Sequence, residues 1–189
     1  SGEKEAEMIY KGVLWSYDFS SPGVIMDIGG GSTEFIFADK KGMNDIVSMN
    51  IGVSRIYQEL SLNDPLTPTD IKIITDWLDE KSNGFFDGKS ADLLIGASGS
   101  FETFYELLEG SFFEANGQAQ KVNTEHFFKM LDQIIASTQA ERDANPHIIA
   151  IRKRMAPLAA IKTRWVLQKT QAKQIFISPN SLKEGVLFG

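Results

Sequence analysis

Cysteine is absent from this chain of 189 residues, and only two histidines and six prolines occur in it. The absence of cysteine excludes disulfide bonds, thiolate metal sites and a cysteine nucleophile, and it fits a reducing compartment. No apolar run approaches the ~20 residues that span a bilayer, and no charged-then-apolar leader opens the chain. We therefore expect a cytoplasmic protein with no membrane partner.

Acidic residues are missing from the segment 144–183, although the chain as a whole carries a net charge of −6. The bases of this segment are Arg152, Lys153, Arg154, Lys162, Arg164, Lys169, Lys173 and Lys183. The overall charge argues against a nucleic-acid partner. A basic segment on an acidic body either pairs with acidic side chains of the same domain or lines a track for a polyanion. In the second case, we expect Arg152, Lys153 and Arg154 to contribute most.

The run Asp27-Ile28-Gly29-Gly30-Gly31-Ser32-Thr33-Glu34 lies between two apolar stretches and is the most informative feature of the chain. It predicts a hairpin whose turn is centred between Gly30 and Gly31. Asp27 and Glu34 would then face each other across the strands, near enough to share a metal ion or a proton. The residues expected to bind phosphate through backbone amides and hydroxyls are Gly29, Gly30, Gly31, Ser32 and Thr33. The alternative is a tight glycine-rich hairpin without a ligand.

A second glycine- and serine-rich loop follows the apolar strand predicted at 91–96. A helix is predicted directly after it, so the free amides of the helix start would face any anion bound there. The phosphate-binding candidates of this loop are Gly96, Ser98, Gly99 and Ser100. Both loops end apolar strands, which is where ligands collect in open α/β sheets.

Hydrophobic periodicity predicts an α/β fold with a mixed five-stranded sheet and helices on its faces. The strands are expected near 24–28, 33–38, 45–50, 91–96 and 174–178, the first three paired as a meander. Helices are expected near 3–15, 53–62, 69–81, 101–108, 124–137 and 147–170, with a last one after Pro179. The two histidines have no evident catalytic partner, so nucleophilic catalysis has little support.

Five segments, in order, resemble the exopolyphosphatase/guanosine pentaphosphate phosphohydrolase family. The run 27–34 is similar to that family's second phosphate motif, and Ser1–Glu7 resembles its Ser-Gly-x-Glu-Glu-Ala-Arg segment. Ile51–Arg55 is similar to its Gly-x-Val-Arg segment, and Ile95–Ser100 to its Gly-Thr/Ser-x-Gly-Thr loop. Ser181–Leu187 resembles its closing Gly-Leu-Arg-Glu-Gly-Leu-Leu segment. The resemblance therefore covers essentially the whole chain.

This resemblance implies a ribonuclease H-like half of the actin/hexokinase/heat-shock-ATPase superfold. It implies Glu5 and Glu34 as catalytic residues, Asp27 and Glu34 as ligands of Mg²⁺ or another divalent cation, and the two loops as phosphate cradles. The substrate it implies is polyphosphate or guanosine pentaphosphate, whose terminal phosphate would be removed by water. Without the resemblance, Glu5 would be interpreted as an exposed acid of an N-terminal helix.

The chain also departs from the family pattern. Lys4 and Glu7 stand where the family usually has Glu and Arg, and Ser100 replaces a common Thr. No Asp-x-Gly-x-Ser-x-Ser loop of a first domain occurs in the sequence. We therefore expect residues 1–189 to be the second domain of an exopolyphosphatase-like protein, nearly inactive without the first domain. A homodimer is compatible with the sequence.

Two other functions remain open at this point. One is a non-catalytic regulator that binds phosphate or a nucleotide on the same fold, and the other is half of a sugar or acetate kinase.

Overall fold

The computed structural model describes residues 2–114 and 117–188, which form one mixed sheet with helices on both faces. The strands are β1 (Gly23–Ile28), β2 (Thr33–Asp39), β3 (Gly42–Met49), β4 (Leu93–Gly96), β5 (Gln120–Val122) and β6 (Gln174–Ile177). The helices are α1 (Gly2–Leu14), α2 (Val53–Glu59), α3 (Pro68–Ser82), α4 (Gly99–Glu109), α5 (Thr124–Ala136), α6 (Gln139–Ala144), α7 (Ala156–Thr170) and α8 (Leu182–Phe188).

The strand order across the sheet is β3-β2-β1-β4-β6-β5. The first three strands pair antiparallel as a meander, and β4 and β6 extend the sheet parallel to β1, as predicted. The predicted count of five strands is one too low, because β5 pairs antiparallel with β6 at the edge. This strand has only three residues, too few for an alternating pattern to show in the sequence.

The hairpin of β1 and β2 has the predicted register. Asp27 pairs with Glu34, and Ile28 pairs with Thr33, so the two strands diverge only at the glycines. Side chains directly opposite each other lie on the same face of a sheet, with their Cβ atoms about 4.5–5.5 Å apart. The register therefore places both carboxylates on one face, next to the glycine loop.

The two faces of the sheet bury different sets of apolar residues. On one face, α1 packs through Ala6, Ile9 and Val13 onto a smaller core that includes Ile25 and Ile36. The larger core on the other face surrounds α7, which is buried along nearly its whole length. The carboxylates of Asp27 and Glu34 lie on the α1 face, because they alternate with residues of the larger core.

The prediction of a helix over 147–170 is wrong in its first part. Residues 145–155 form turns, and α7 begins only at Ala156, with Pro157 in its first turn. Proline favours this position because the first helical amides have no acceptor within the helix. A short helix that the sequence analysis did not identify, α6, precedes these turns and is capped by Thr138.

In the described part of the chain, no helix is long and apolar enough to cross a bilayer. The longest described helices, α3 and α7, have 15 residues each.

Helices α1 and α8 approach each other through two glycines. A Cβ atom on Gly185 would lie 1.7 Å from the carbonyl oxygen of Met8, and one on Gly12 would lie 1.9 Å from that of Ser181. Both obstacles are backbone atoms, which cannot rotate away. The close packing of α8 on the helix that carries Glu5 therefore requires glycine at both positions.

We predict that Gly185→Ala lowers the free energy of unfolding by about 1–3 kcal/mol, the usual cost of adding a methyl group to a packed contact. Val186→Ala is the matched control in the same helix; because this side chain is 63% exposed, its loss should cost less than about 0.5 kcal/mol. Urea unfolding of both variants measures the difference. Equal effects would show that α8 does not depend on this contact.

Candidate functional site

Three parallel strands end at the same edge of the sheet. The loop Gly29–Ser32 follows β1, Ala97 and Ser98 follow β4, and residues 178–181 follow β6. Such an edge is the usual ligand site of an open α/β sheet. Both predicted phosphate loops therefore lie at one end of the molecule.

The glycine loop packs against the start of α2. Each of three loop carbonyl oxygens accepts a hydrogen bond from a backbone amide: Gly29 from Val53 (3.1 Å), Gly30 from Ser54 (2.9 Å) and Gly31 from Gly52 (3.2 Å). The Nε of Arg55 donates a further bond of 2.8 Å to the Gly31 carbonyl. Only glycine fits at position 52, because a Cβ atom there would lie 2.1 Å from the Gly30 oxygen.

These contacts use the carbonyl groups of the loop and leave its amides available. The described residues offer no hydrogen-bond acceptor to the amides of Gly30, Gly31 and Ser32. Successive free amides of this kind form a concave site for anions.

The second loop leads directly into α4. The carbonyl of Ser98 accepts bonds from Phe101 (2.9 Å) and Glu102 (3.2 Å), while the amides of Gly99 and Ser100 have no acceptor in the described part of the chain. The Ser98 hydroxyl is buried and finds no hydrogen-bond partner among the described residues. The first turn of an α-helix thus presents free donors at this edge of the sheet.

A cavity of about 300 Å³ joins the two loops. Its polar lining consists of Gly29, Gly30, Ser54, Gly99, Ser100, Thr103 and Arg152. Apolar side chains from the end of β1, the starts of α2 and α7, the middle of α4 and the turns before α7 form the rest of its wall. The structure therefore brings residues 29 and 30 of the first loop and 99 and 100 of the second to one space.

Arg152 is the base that reaches this cavity. Its guanidinium packs directly on the backbone of Gly99, where a Cβ atom would lie 1.7 Å from Nη2. It donates a 3.1 Å hydrogen bond to the hydroxyl of Thr103, and Glu102 lies 3.8 Å away. The guanidinium thus places a positive charge beside the start of α4.

The two bases after Arg152 point elsewhere, which differs from the expected track of three. The Nζ of Lys153 donates to the carbonyl oxygen of Asp143. Arg154 donates a 3.0 Å bond to the hydroxyl of Tyr57 and lines a separate cavity. The turns of 145–155 send successive side chains in different directions, so neighbours in sequence do not share a surface.

The carboxylates of Asp27 and Glu34 are each held by a serine. Ser181 donates to Oδ2 of Asp27, and Ser48 donates a 2.6 Å bond to Oε1 of Glu34, which is 1% exposed. Burial raises the pKa of Asp27 from its ordinary value of 3.8 to about 7. The hydrogen bond from Ser181 opposes that rise, and the negative charge of Glu34 adds to it.

Glu5 lies in the first turn of α1 with an exposed side chain. Its charge also raises the pKa of Asp27, which places it in electrostatic reach of the pair. Among the described residues, no three or more His, Asp or Glu side chains form a group that could hold a metal ion. The three acids that the resemblance assigns to the site, Glu5, Asp27 and Glu34, are therefore a cross-strand pair with a third charge nearby.

The hydroxyl of Thr33 is used inside the protein, contrary to the expectation that it faces a phosphate. Thr33 is fully buried; its Oγ1 donates a 3.0 Å bond to the Ser32 carbonyl and accepts one from Lys162. Lys162 is also fully buried, and this burial lowers its pKa to about 7, while the charges of Glu34 and Asp27 oppose the shift.

Sequence reasoning missed Ser48, Ser181 and Lys162 as parts of this site. Ser48 lies opposite Glu34 in β3, so the alternation of that strand could have identified it. Ser181 begins a segment that carried the resemblance. Lys162 differs from the other bases of α7 in that its neighbours at i−4, i−3, i+3 and i+4 are all apolar, so helical periodicity could have indicated its burial.

The fold and the site together define an actin-like α/β domain with two glycine-rich loops at its ligand edge. A family model described as the Ppx/GppA phosphatase family matches residues 1–189. The chain therefore belongs to the Ppx/GppA phosphatase family.

Known proteins agree with this assignment. The chain is 38% identical over 116 residues to a bifunctional 3-dehydroquinate synthase/phosphatase of Fusobacterium nucleatum, covering 58% of this chain and 17% of that protein. It is 24% identical over 195 residues to a guanosine-5'-triphosphate,3'-diphosphate pyrophosphatase of Pseudoalteromonas atlantica, covering 100% of this chain and 37% of the relative. The crystal structure of an exopolyphosphatase from Cytophaga hutchinsonii superposes with a TM-score of 0.91 at 30% identity, over 99% of this chain and 62% of that one. The chain thus spans less than two thirds of the length of each.

We predict that Asp27→Asn changes how stability depends on pH. The folded state holds the Asp27 proton more tightly than the unfolded chain does, because its pKa is raised from 3.8 to about 7. Its contribution to stability is therefore complete below pH 3.8 and is lost as the pH rises through about 7. Relative to the unaltered chain, Asp27→Asn should gain stability steadily between these two pH values.

Urea unfolding at several pH values, with a chelator present to remove metal ions, tests this prediction. Asp76→Asn is the control, since Asp76 and its partner Lys72 are both exposed. It should follow the pH profile of the unaltered chain. A profile of Asp27→Asn that is parallel to that of the unaltered chain would contradict the raised pKa.

Proposed function

We propose that this chain supplies half of a phosphohydrolase site that removes the terminal phosphate of polyphosphate or guanosine pentaphosphate. The observation that carries this proposal is the single cavity shared by the two loops and Arg152. Free amides of Gly30 and Ser100 and the guanidinium of Arg152 are donors that suit phosphate oxygens. The relatives named as a pyrophosphatase and an exopolyphosphatase support a phosphoanhydride substrate.

The carboxylates next to the glycine loop fit Mg²⁺. This ion usually binds one or two protein carboxylates and completes its shell with water and phosphate oxygens, so a pair is sufficient. Asp27 is the more accessible ligand, because it is half-buried whereas Glu34 is 1% exposed. Burial and, to a smaller extent, the charges of Glu34 and Glu5 raise the pKa of Asp27, and a nearby cation would favour its charged form. When bound, Mg²⁺ would neutralise part of the charge on the phosphate group.

Glu5 is the candidate for the base that orients the attacking water. It is exposed at the start of α1, so water reaches it, and its charge is felt by Asp27. In-line attack on a terminal phosphoryl group needs such a base together with donors that hold the phosphate oxygens. The close packing of α1 on α8 would keep Glu5 in place.

The other half of the site would come from a domain outside this chain. This is consistent with the chain spanning less than two thirds of the length of its relatives. A second domain closing over the loops would exclude water and add further phosphate ligands. A non-catalytic phosphate-binding regulator is the second candidate. Lys4 and Glu7 favour it, since they change the electric field around Glu5 relative to the usual family pattern.

We predict that Glu5→Gln lowers kcat for phosphate release by about 10²–10⁴-fold in the full-length protein, the usual contribution of a general base. Glu3→Gln is the matched control, since Glu3 is another exposed acid of the first turn of α1; it should change kcat by less than about threefold. Phosphate release is measured with polyphosphate and with guanosine pentaphosphate. Binding of either compound without any release by the unaltered protein would support the regulator, and equal rates for both variants would remove Glu5 from the mechanism.

We predict that Arg152→Met weakens the binding of polyphosphate by about tenfold or more, because a charged hydrogen-bond donor is lost from the cavity. The affinity should also depend less steeply on salt concentration, because binding through one ionic contact fewer releases fewer counterions, by analogy with nucleic acids. Lys153→Met is the matched control, because Lys153 is directed to the Asp143 carbonyl.

Affinity is measured at two salt concentrations for both variants. Equal effects of the two substitutions would indicate a diffuse basic surface. Unchanged affinity in both would show that the basic segment has only a structural role.

A further inference from the structure

Lys162 is a fully buried lysine in the middle of α7. Its Nζ donates hydrogen bonds to Oγ1 of Thr33 and, over 2.5 Å, to the carbonyl oxygen of Ile51. Lysine is almost never fully buried unless its charge has partners. Neither a solvated helix face nor a surface track for polyanions accounts for this position.

The two acceptors of Lys162 belong to two different segments that contact the glycine loop. Thr33 begins β2 directly after the loop, and its hydroxyl also donates to the Ser32 carbonyl. Ile51 precedes Gly52, whose amide donates to Gly31. One ammonium group thus connects the end of the loop to the segment whose amides bond the loop carbonyl groups.

The charge of Lys162 also suits this place. The carboxylates of Glu34 and Asp27 favour its charged form. Burial lowers the pKa of Lys162 to about 7, and in its charged form the lysine would also attract a bound phosphate. An apolar side chain of similar length would supply neither the two hydrogen bonds nor the charge.

We propose that Lys162 is a positioning residue of the glycine loop, acting through Thr33 and Ile51 to hold the amides of Gly30 and Gly31 in their phosphate-binding arrangement. This inference rests on the proposed function, because it assigns the loop amides to phosphate. It makes Thr33 a link between Lys162 and the loop.

The test uses four single variants and one double variant, each made in the full-length protein, and two measurements. Lys162→Met removes the donor, Thr33→Val removes the linking hydroxyl, and Thr33→Ser retains that hydroxyl. Thr163→Val is the control, because it removes a buried hydroxyl that bonds only within α7, to the Ala159 carbonyl. The measurements are the NMR amide resonances of Gly30 and Gly31 and the affinity for tripolyphosphate with Mg²⁺.

Lys162→Met and Thr33→Val should shift both glycine resonances and weaken tripolyphosphate binding by about tenfold or more, as expected for the loss of a charged hydrogen bond. Thr33→Ser and Thr163→Val should bind like the unaltered chain. The double variant Lys162→Met/Thr33→Val should bind no more weakly than Lys162→Met alone, because both changes break the same link.

Three results would overturn the inference: unchanged resonances and affinity in folded Lys162→Met, equal behaviour of Thr33→Val and Thr33→Ser, or additive losses in the double variant. If Lys162→Met does not fold, the comparison of the two Thr33 variants decides alone. Failure of the unaltered full-length protein to bind tripolyphosphate would overturn the proposed function, whereas the glycine resonances would still report whether Lys162 positions the loop.

Discussion

The carbonyl oxygens of Gly29, Gly30 and Gly31 accept hydrogen bonds from the first residues of α2 or from Gly52 before it, and the rest of the site depends on this contact. None of the three loop glycines has a positive φ, so a left-handed turn does not explain them. Gly52 allows the two backbone segments to meet, because a Cβ atom there would lie 2.1 Å from the Gly30 oxygen, whereas one on Gly31 would meet nothing within 4 Å. Because this contact uses the carbonyl groups, the amides of the loop remain for a ligand.

The core helix α7 connects the stability of the domain to the geometry of this edge. Its residues Ala156 and Ala159 form part of the cavity wall, and its middle carries Lys162 under the loop. Nearly every side chain of this helix is buried. A shift of the helix would therefore move the cavity wall and the support of the loop together, because packed interiors transmit small displacements.

The sequence predicts those parts of the structure that local patterns control. The register of Asp27 with Glu34 follows from glycines placed symmetrically between two apolar runs, so it could be derived before any coordinates. The three-residue β5 carries no such pattern and depends on its neighbour β6. The separation of Arg152 from Lys153 depends on turns fixed by tertiary contacts, and the burial of Lys162 depends on where its helix lies. The separation of the two side chains has no signal in the sequence, whereas the apolar neighbours of Lys162 at helical spacing indicate a buried face but not the residues that this lysine contacts.

The acidic and basic groups at this edge lie on different faces of the sheet, and this arrangement would couple the binding of a cation to the binding of a phosphate. Two carboxylates lie on the α1 face, while Arg152 and the free amides lie at the cavity on the other face. A phosphate bound to the loops would bring more negative charge near Asp27, whose pKa burial and neighbouring carboxylates already raise. A divalent cation held by Asp27 would offset that repulsion, so each ligand would strengthen the binding of the other by the same factor. Under the proposed function, a cation held by Asp27 would therefore lower the pKa that burial and the neighbouring carboxylates raise.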